Sequence, residues 1–418
     1  MKTISNKDKQ ILRDLARHQL ELANSPKNKK LEQEWLALNT FRESRPMIHL
    51  ELWTFENEVI PPLLQCESAE ARELEGWLYR MFVNQELLGD DKPIPDYLPI
   101  NWKAWFTLFG QEISATHVKE GDASGLGHKF NHVIEDLEDD YHKLGASSFG
   151  VDVEGSLKEE EFLNDLFGDI IPVKRVSGSL YAVPTQKIVH LMGMEHMLES
   201  LMLYPELFKQ MMDRVADDYI AYFKYLETEG FILPTVGAET LGQGSVCFTD
   251  ELPSAIPQDR PLTTSDVWGY LDSQESVGIS PTMYSEFVFP CYRKIANLFG
   301  ALSYGCCEPV HAIWDDISSL TNLKKVSISP WCDEEMMGEY LRGKKIVYHR
   351  KPSATYLGVG ANLDEDAVRK HFEATLHAAR GCTLEFAQRD VYTINGSVAK
   401  AQRYIQILRE TIEDKWNG

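Results

Sequence analysis

No stretch of this chain approaches the roughly 18 uninterrupted apolar residues that a bilayer-spanning helix needs. The opening Met1-Lys2-Thr3-Ile4-Ser5-Asn6-Lys7 lacks the apolar core of a secretory leader. Cysteine is sparse: seven among 418 residues, an odd number spread along the chain, which argues against a disulfide scaffold and for a reducing cytoplasm. Positive charge is also short. Forty-two Lys and Arg face 64 Asp and Glu, a net charge of −22 that disfavours nucleic acid and anionic membrane as principal partners. Neither a Gly-x-Ser-x-Gly elbow nor a Walker loop occurs. The glycines Gly125 and Gly127, and Gly237, Gly242 and Gly244, have the wrong spacing for a dinucleotide fingerprint.

What is present is a repeating plan. A short apolar run, a sharp polar break and an amphipathic helix recur at Ala301-Leu302-Ser303-Tyr304, Val326-Ser327-Ile328-Ser329, Ile346-Val347-Tyr348 and Thr383-Leu384-Glu385-Phe386. Strands alternating with helices imply a parallel sheet, and parallel strands deliver their carboxyl ends to one rim. Pro205 opens a helix that Gly230 closes, and Phe231-Ile232-Leu233 is expected to begin the next strand. The expected fold is α/β, a (β/α)8 TIM barrel over residues 101–418. Residues 1–100 form a helical and loop extension packed on it. From Gly150 to Asp169 the chain reads as acidic and solvent-facing, and His128 and His132 as surface residues on a helix.

The polar breaks carry the candidate chemistry. Cys306-Cys307-Glu308 offers two thiols and a carboxylate, all acceptable zinc donors, and His349 and Asp390 from later strand ends could complete an open tetrahedral site. In an extended backbone Tyr304, Cys306 and Glu308 share a face and Cys307 points away, so only a sharp turn would let both thiols meet one ion. Asp272 and Glu275, after Val267-Trp268-Gly269-Tyr270-Leu271, are candidate general acids. Glu239, Lys351 and Trp331 are candidate substrate contacts, with Trp102 and Trp105 as further aromatic walls. Cys382 follows the helix stop Gly381 and therefore begins its strand, at the rim opposite the breaks; Asp390, or Gln388, stands at the proper end.

At Gly193-Met194-Glu195-His196-Met197-Leu198 through Tyr204-Pro205-Glu206-Leu207, and again at Gly278-Ile279-Ser280-Pro281 and the strand entering Gly305-Cys306-Cys307, the chain resembles the uroporphyrinogen decarboxylase superfamily. The resemblance spans about residues 145 to 415 and implies a (β/α)8 barrel. Its decarboxylases grip carboxylates with an arginine-rich segment near the N-terminus. The counterpart here is Arg45-Pro46-Met47-Ile48-His49-Leu50-Glu51, poor in arginine. Its zinc-dependent methyltransferases carry His-x-Cys after a middle strand, where this chain has Tyr304-Gly305-Cys306. The implied function is transfer of a methyl group from a small donor, an aryl methyl ether among the candidates, to the cobalt of a corrinoid (cobalamin) carried by a separate protein, with zinc assisting. The alternatives are a decarboxylase of uroporphyrinogen or a related carboxylated compound, and a non-catalytic barrel that binds a tetrapyrrole or corrinoid. The apolar stripe Tyr404, Ile405, Leu408 and Ile412 suits either barrel packing or a homodimer contact.

Overall fold

The computed structural model describes residues 4–117 and 128–416. Seven strands make one all-parallel sheet: β1 (Met47–Leu50), β2 (Leu180–Ala182), β3 (Trp268–Leu271), β4 (Ala301–Tyr304), β5 (Leu323–Ile328), β6 (Val347–Arg350) and β7 (Thr383–Gln388). Their order is β1-β7-β6-β5-β4-β3-β2. The four repeated segments of the sequence supply β4 to β7, and strands in this sheet are buried on both faces, as parallel strands between layers must be.

The architecture is parallel α/β with flanking helices, like an α/β barrel in plan. Among the described residues the ladder does not close, since β1 and β2 end it without pairing. The free edge of β1 is satisfied by side chains instead. Ile48 donates its amide to Asp91 Oδ2 at 2.9 Å and Leu50 to Asp90 Oδ2 at 2.8 Å, both carboxylates being buried. Phe231-Ile232-Leu233, expected as a strand, joins no ladder. Pro234 has no N–H to offer there, and the Trp268 amide donates to the Thr235 hydroxyl at 2.9 Å.

Helix placement follows local rules. Among the helices used below are α1 (Asn6–Ala23), α2 (Pro26–Asn39), α3 (Pro205–Thr228), α4 (Glu365–Ala378) and α5 (Val398–Lys415). Ser5, Ser25, Asp364 and Ser397 cap α1, α2, α4 and α5 through their side-chain oxygens. Gly230 follows α3 in the left-handed region at φ 74°. On α5, Tyr404, Ile405, Leu408 and Ile412 are buried within the chain, so the stripe is internal packing and leaves no apolar face there for a dimer.

The extension does more than pack on the outside. Residues 47–50 provide strand β1 of the main sheet, and α2 lies across the amino-terminal end of the strands. Trp35 of α2 packs with Met47 and Val347, the first residues of β1 and β6, and its indole donates to the Asp91 carbonyl at 2.7 Å. From Gly150 to Asp169 the acidic side chains Asp152, Glu154, Glu161, Asp165 and Asp169 face solvent as expected, while one apolar face of the stretch is packed. Ser148–Asp152 pairs antiparallel with Lys103–Thr107, and helix Val153–Phe167 buries Leu163, Leu166 and Phe167. His132 is exposed beyond a short strand, His128–Phe130, so no helix carries the two histidines. The side chain of His128, like Gly125 and Gly127, lies outside the described residues. Among the described residues no helix is long and apolar enough to cross a membrane.

Candidate active site

The carboxyl ends of β3, β4, β6 and β7 bring Asp272, Cys306, Cys307, Lys351, Arg389 and Asp390 to one rim. The turn after β4 decides the cysteine geometry. Gly305 sits at φ 100°, where a side chain would be strained and a Cβ would lie 3.2 Å from both Ser327 and Val310. This sharp turn replaces the extended course, and the expected shared face of Tyr304, Cys306 and Glu308 is lost with it. Tyr304 faces outward, its hydroxyl bonded to Ser273 and Tyr284, while the Cys306 and Cys307 sulfurs come within 3.6 Å of each other. The two thiols share a hydrogen bond, which holds the Cys306 thiol above its ordinary range and the Cys307 thiol below it. Burial adds to the first shift, and Lys351 favours the second.

A hairpin missed in the sequence reading floors this rim. Thr240–Gly242 pairs with Ser245–Val246, and the turn Gly242-Gln243-Gly244 has three successive positive φ angles, 114°, 54° and 81°. A Cβ at Gly242 would lie 2.8 Å from Tyr270 and one at Gly244 2.9 Å from Ala387, so glycine alone lets the turn fit between β3 and β7. Gln243 Oε1 accepts from Lys351 Nζ at 2.9 Å and from Cys306 Sγ at 3.1 Å, and its carbonyl meets His349 Nε2 at 2.9 Å. Asn39 of α2 holds the hairpin from below, donating to the Val246 and Phe248 carbonyls.

Beneath the hairpin lies a buried charged chain. Lys325 Nζ donates to Glu385 Oε2 at 2.6 Å and to Ser245 Oγ at 2.6 Å, and His349 Nδ1 meets Glu385 Oε1. All three side chains are nearly inaccessible. Burial alone would raise the Glu385 carboxyl, but Lys325 and His349 outweigh it and hold it at about 2. Burial pushes His349 down and keeps it neutral, against the pull of Glu385. One signal could have exposed this chain. Lys325 and Ser327, His349, and Glu385 interrupt strands otherwise apolar, at the alternating positions that face a barrel lumen.

Asp272 ends the line of groups on β3. Its Oδ2 lies 2.9 Å from the Tyr270 hydroxyl and 3.4 Å from that of Tyr181, and the two tyrosine rings stack at 4.6 Å and 11°. Oδ1 is buried with no hydrogen-bond partner among the described residues. Burial, then the neighbouring Glu308 and Cys306, push this carboxyl well above the usual range, which favours its protonated form.

The other named residues fall elsewhere. Glu308 is buried, and its carboxylate accepts the amides of Ser273 and Cys306, each at 2.8 Å, tying the β3 and β4 loops together. We expect Glu308→Ala to orphan both amides and lower the unfolding free energy in urea by about 2–4 kcal/mol, with Glu308→Gln losing less. Glu275 faces Thr185, which donates to it at 2.9 Å, and burial raises its carboxyl. Asp390 is half-buried at φ 57°. Glu239 accepts from the Tyr97 hydroxyl in a neighbouring cavity of about 370 Å³, walled by Trp53, Met81 and Pro95. Trp331 is 72% exposed, Trp102 carries the Arg175 guanidinium on its ring and Trp105 is exposed, so none of the three joins the thiols. Cys382 donates to the Gly338 carbonyl at the start of β7. Arg389, not singled out in the sequence, donates to Glu51 at 2.6 Å and comes 4.0 Å from Cys306 Sγ.

Two sulfurs 3.6 Å apart match the separation of two thiolates on one tetrahedral zinc, about 3.7 Å for bonds of about 2.3 Å. The set stops at two. Among the described residues no group of three or more His, Cys, Asp and Glu is placed to hold a metal ion, and His349 and Glu308 are engaged as described. Asp140-Tyr141-His142-Lys143-Leu144-Gly145 fits the Asp-x-His-x-x-Gly spacing of cobalamin-binding loops. Here it lies on a short exposed turn with His142 Nδ1 against the Asp139 carbonyl, and no parallel strand delivers it.

No protein-family model matches the chain, and no curated protein matches its sequence. Among solved structures, a methyltransferase from Methanosarcina mazei superposes with a TM-score of 0.48 at 12% identity, over 92% of this chain and 99% of that one.

Proposed function

We propose that this rim is the active site of a methyltransferase. It would take a methyl group from the oxygen of a small aryl methyl ether and pass it to the cobalt of a corrinoid on a separate protein. Asp272 carries the reading. When an oxygen–methyl bond breaks, the electron pair stays on oxygen, and a phenolic oxygen has a pKa near about 10. A carboxylic acid kept neutral at pH 7 gives up its proton to that oxygen favourably as the charge develops. The buried Oδ1 has no partner among the described residues, which leaves that side of the carboxyl for a ligand. Tyr181, 46% exposed and stacked on Tyr270, offers an aromatic face beside it. The corrinoid would supply the nucleophile that accepts the methyl group. Exposed Trp53, Trp331, Val359 and Tyr392 on loops around the rim suit a partner protein arriving from that side.

The two thiols, Cys306 and Cys307, would hold zinc only as an accessory ion, and metal analysis of the purified protein tests its presence. Near-stoichiometric zinc that disappears in Cys306→Ser would add zinc to the scheme. Zinc below about a tenth equivalent in protein purified without chelator would remove it.

A decarboxylase of uroporphyrinogen needs several cationic forks for its carboxylates. Arg45 is engaged by Asp91 and Glu34 near the opposite end of the strands, and Arg389 at the rim is neutralised by Glu51. The decisive experiment mixes the protein with chemically reduced free cob(I)alamin and a monocyclic aryl methyl ether, and follows the visible spectrum of methylcobalamin. Enzyme-dependent methylcobalamin with stoichiometric phenol supports the reading. No conversion across a panel of aryl ethers, with or without added zinc, defeats it.

A further inference from the structure

All seven cysteines of the chain are free, and Cys307 is the one that is not buried. It stands beside Cys306 at a sulfur separation of 3.6 Å, on a turn fixed by Gly305 rather than on a mobile end. Two cations face this pair. Arg389 Nη1 lies 4.0 Å from Cys306 Sγ, and Lys351 Nζ is held 2.9 Å from Gln243 Oε1, which itself lies 3.1 Å from Cys306 Sγ. Arg389 is paired with Glu51, and the carboxylates Asp390 and Glu308 also act on the pair, so geometry is what marks it: a partly accessible thiol with a second thiol already in reach is the arrangement of an oxidisable dithiol.

We infer that Cys306 and Cys307 form a peroxide-sensitive pair that closes reversibly to a vicinal disulfide. In the first step the Cys307 sulfur attacks one oxygen of hydrogen peroxide. The S–O bond forms, the O–O bond breaks, and the departing hydroxide leaves as water with the Cys307 proton. In the second step the Cys306 sulfur attacks the Cys307 sulfenic acid. The S–S bond forms, the S–O bond breaks, and a second water carries off the Cys306 proton. Two thiols are oxidised by two electrons while one peroxide is reduced to two waters.

The closed form is labile by construction. Adjacent Cα atoms sit about 3.8 Å apart across a trans peptide, short of the roughly 4.4–6.8 Å usual for disulfides, and such strain favours reduction. Closure also draws the sulfurs to about 2.05 Å, which pulls Cys306 away from Gln243. Gln243 anchors Lys351 through its side chain and His349 through its carbonyl, so the oxidised rim presents a different cation to a ligand. The inference depends on the thiols and not on the methyl-transfer reading.

Peptide mapping of the native full-length protein tests it. Trypsin releases residues 295–324, which contain Cys306 and Cys307 and no other cysteine. After limiting peroxide this peptide should lose two hydrogens, about 2 Da, and dithiothreitol should restore it. In Cys306→Ser the loss should vanish, and Cys307 should be trapped by dimedone as the sulfenic acid. Oxidation of Cys307 to sulfinic acid in the wild type with no hydrogen-loss species overturns the inference. So does a peptide left intact while the buried cysteines react.

Discussion

Asp272→Asn should lower the methyl-transfer rate constant by about 100- to 10,000-fold, the usual worth of a positioned general acid, with a much smaller change in KM. Asparagine keeps the shape of the side chain and the contacts to Tyr270 and Tyr181 but has no proton to give. The wild-type rate should be highest at low and neutral pH and decline as pH rises through the raised Asp272 value, and the variant should lose that limb. Stability provides an independent check of the same group. A carboxyl raised in the folded state binds its proton more tightly there than in the unfolded chain, whose value is about 3.9. Its contribution is therefore full below that value and is lost as pH climbs towards the folded one. Asp272→Asn should be at least as stable as the wild type at pH 8, which separates a catalytic loss from misfolding. A variant with wild-type turnover would remove the acid from the scheme.

The second large effect concerns the charged chain under the hairpin. Lys325→Met leaves Glu385 ionised in the interior with only a neutral His349 beside it, and should cost about 3–5 kcal/mol in urea unfolding. Glu385→Leu should cost a similar amount by stranding the Lys325 ammonium. The double variant should recover most of the loss, because an apolar pair removes the buried charge instead of orphaning it. The acid limb follows from Glu385, which is depressed to about 2 in the folded protein against about 4.3 when unfolded. Its stabilisation is present above the unfolded value and disappears as pH falls towards 2. The double variant should lack that part of the acid dependence. Additive losses in the two single variants would mean that the ion pair contributes nothing.

Much of the sheet was legible in the chain. Four strands with apolar runs and polar breaks, the Pro205 helix start, the Gly230 stop and the Asp364 cap lie where local chemistry puts them. The convergence of Asp272, Cys306, Cys307, Lys351 and Asp390 followed from strand direction alone. What escaped was carried by contacts remote in sequence. Asp90 and Asp91 seal β1 from a stretch that reads as loop, and Gln243 reaches Cys306, 63 positions away, from a glycine turn with no motif. Glu308 looked like a ligand because its neighbours are cysteines, yet two backbone amides claim it.

The amino-acid sequence by itself determined the alternation of strand and helix, and through it the side of the molecule on which the reactive groups meet, because hydrophobic period, caps and glycine stops act over a few residues. Which of those groups stay available was decided only in three dimensions. Availability depends on who supplies the hydrogen bond, and for His349, Glu308 and Lys351 the supplier is another loop. Asp272 differs from them in retaining an oxygen that no neighbour among the described residues meets.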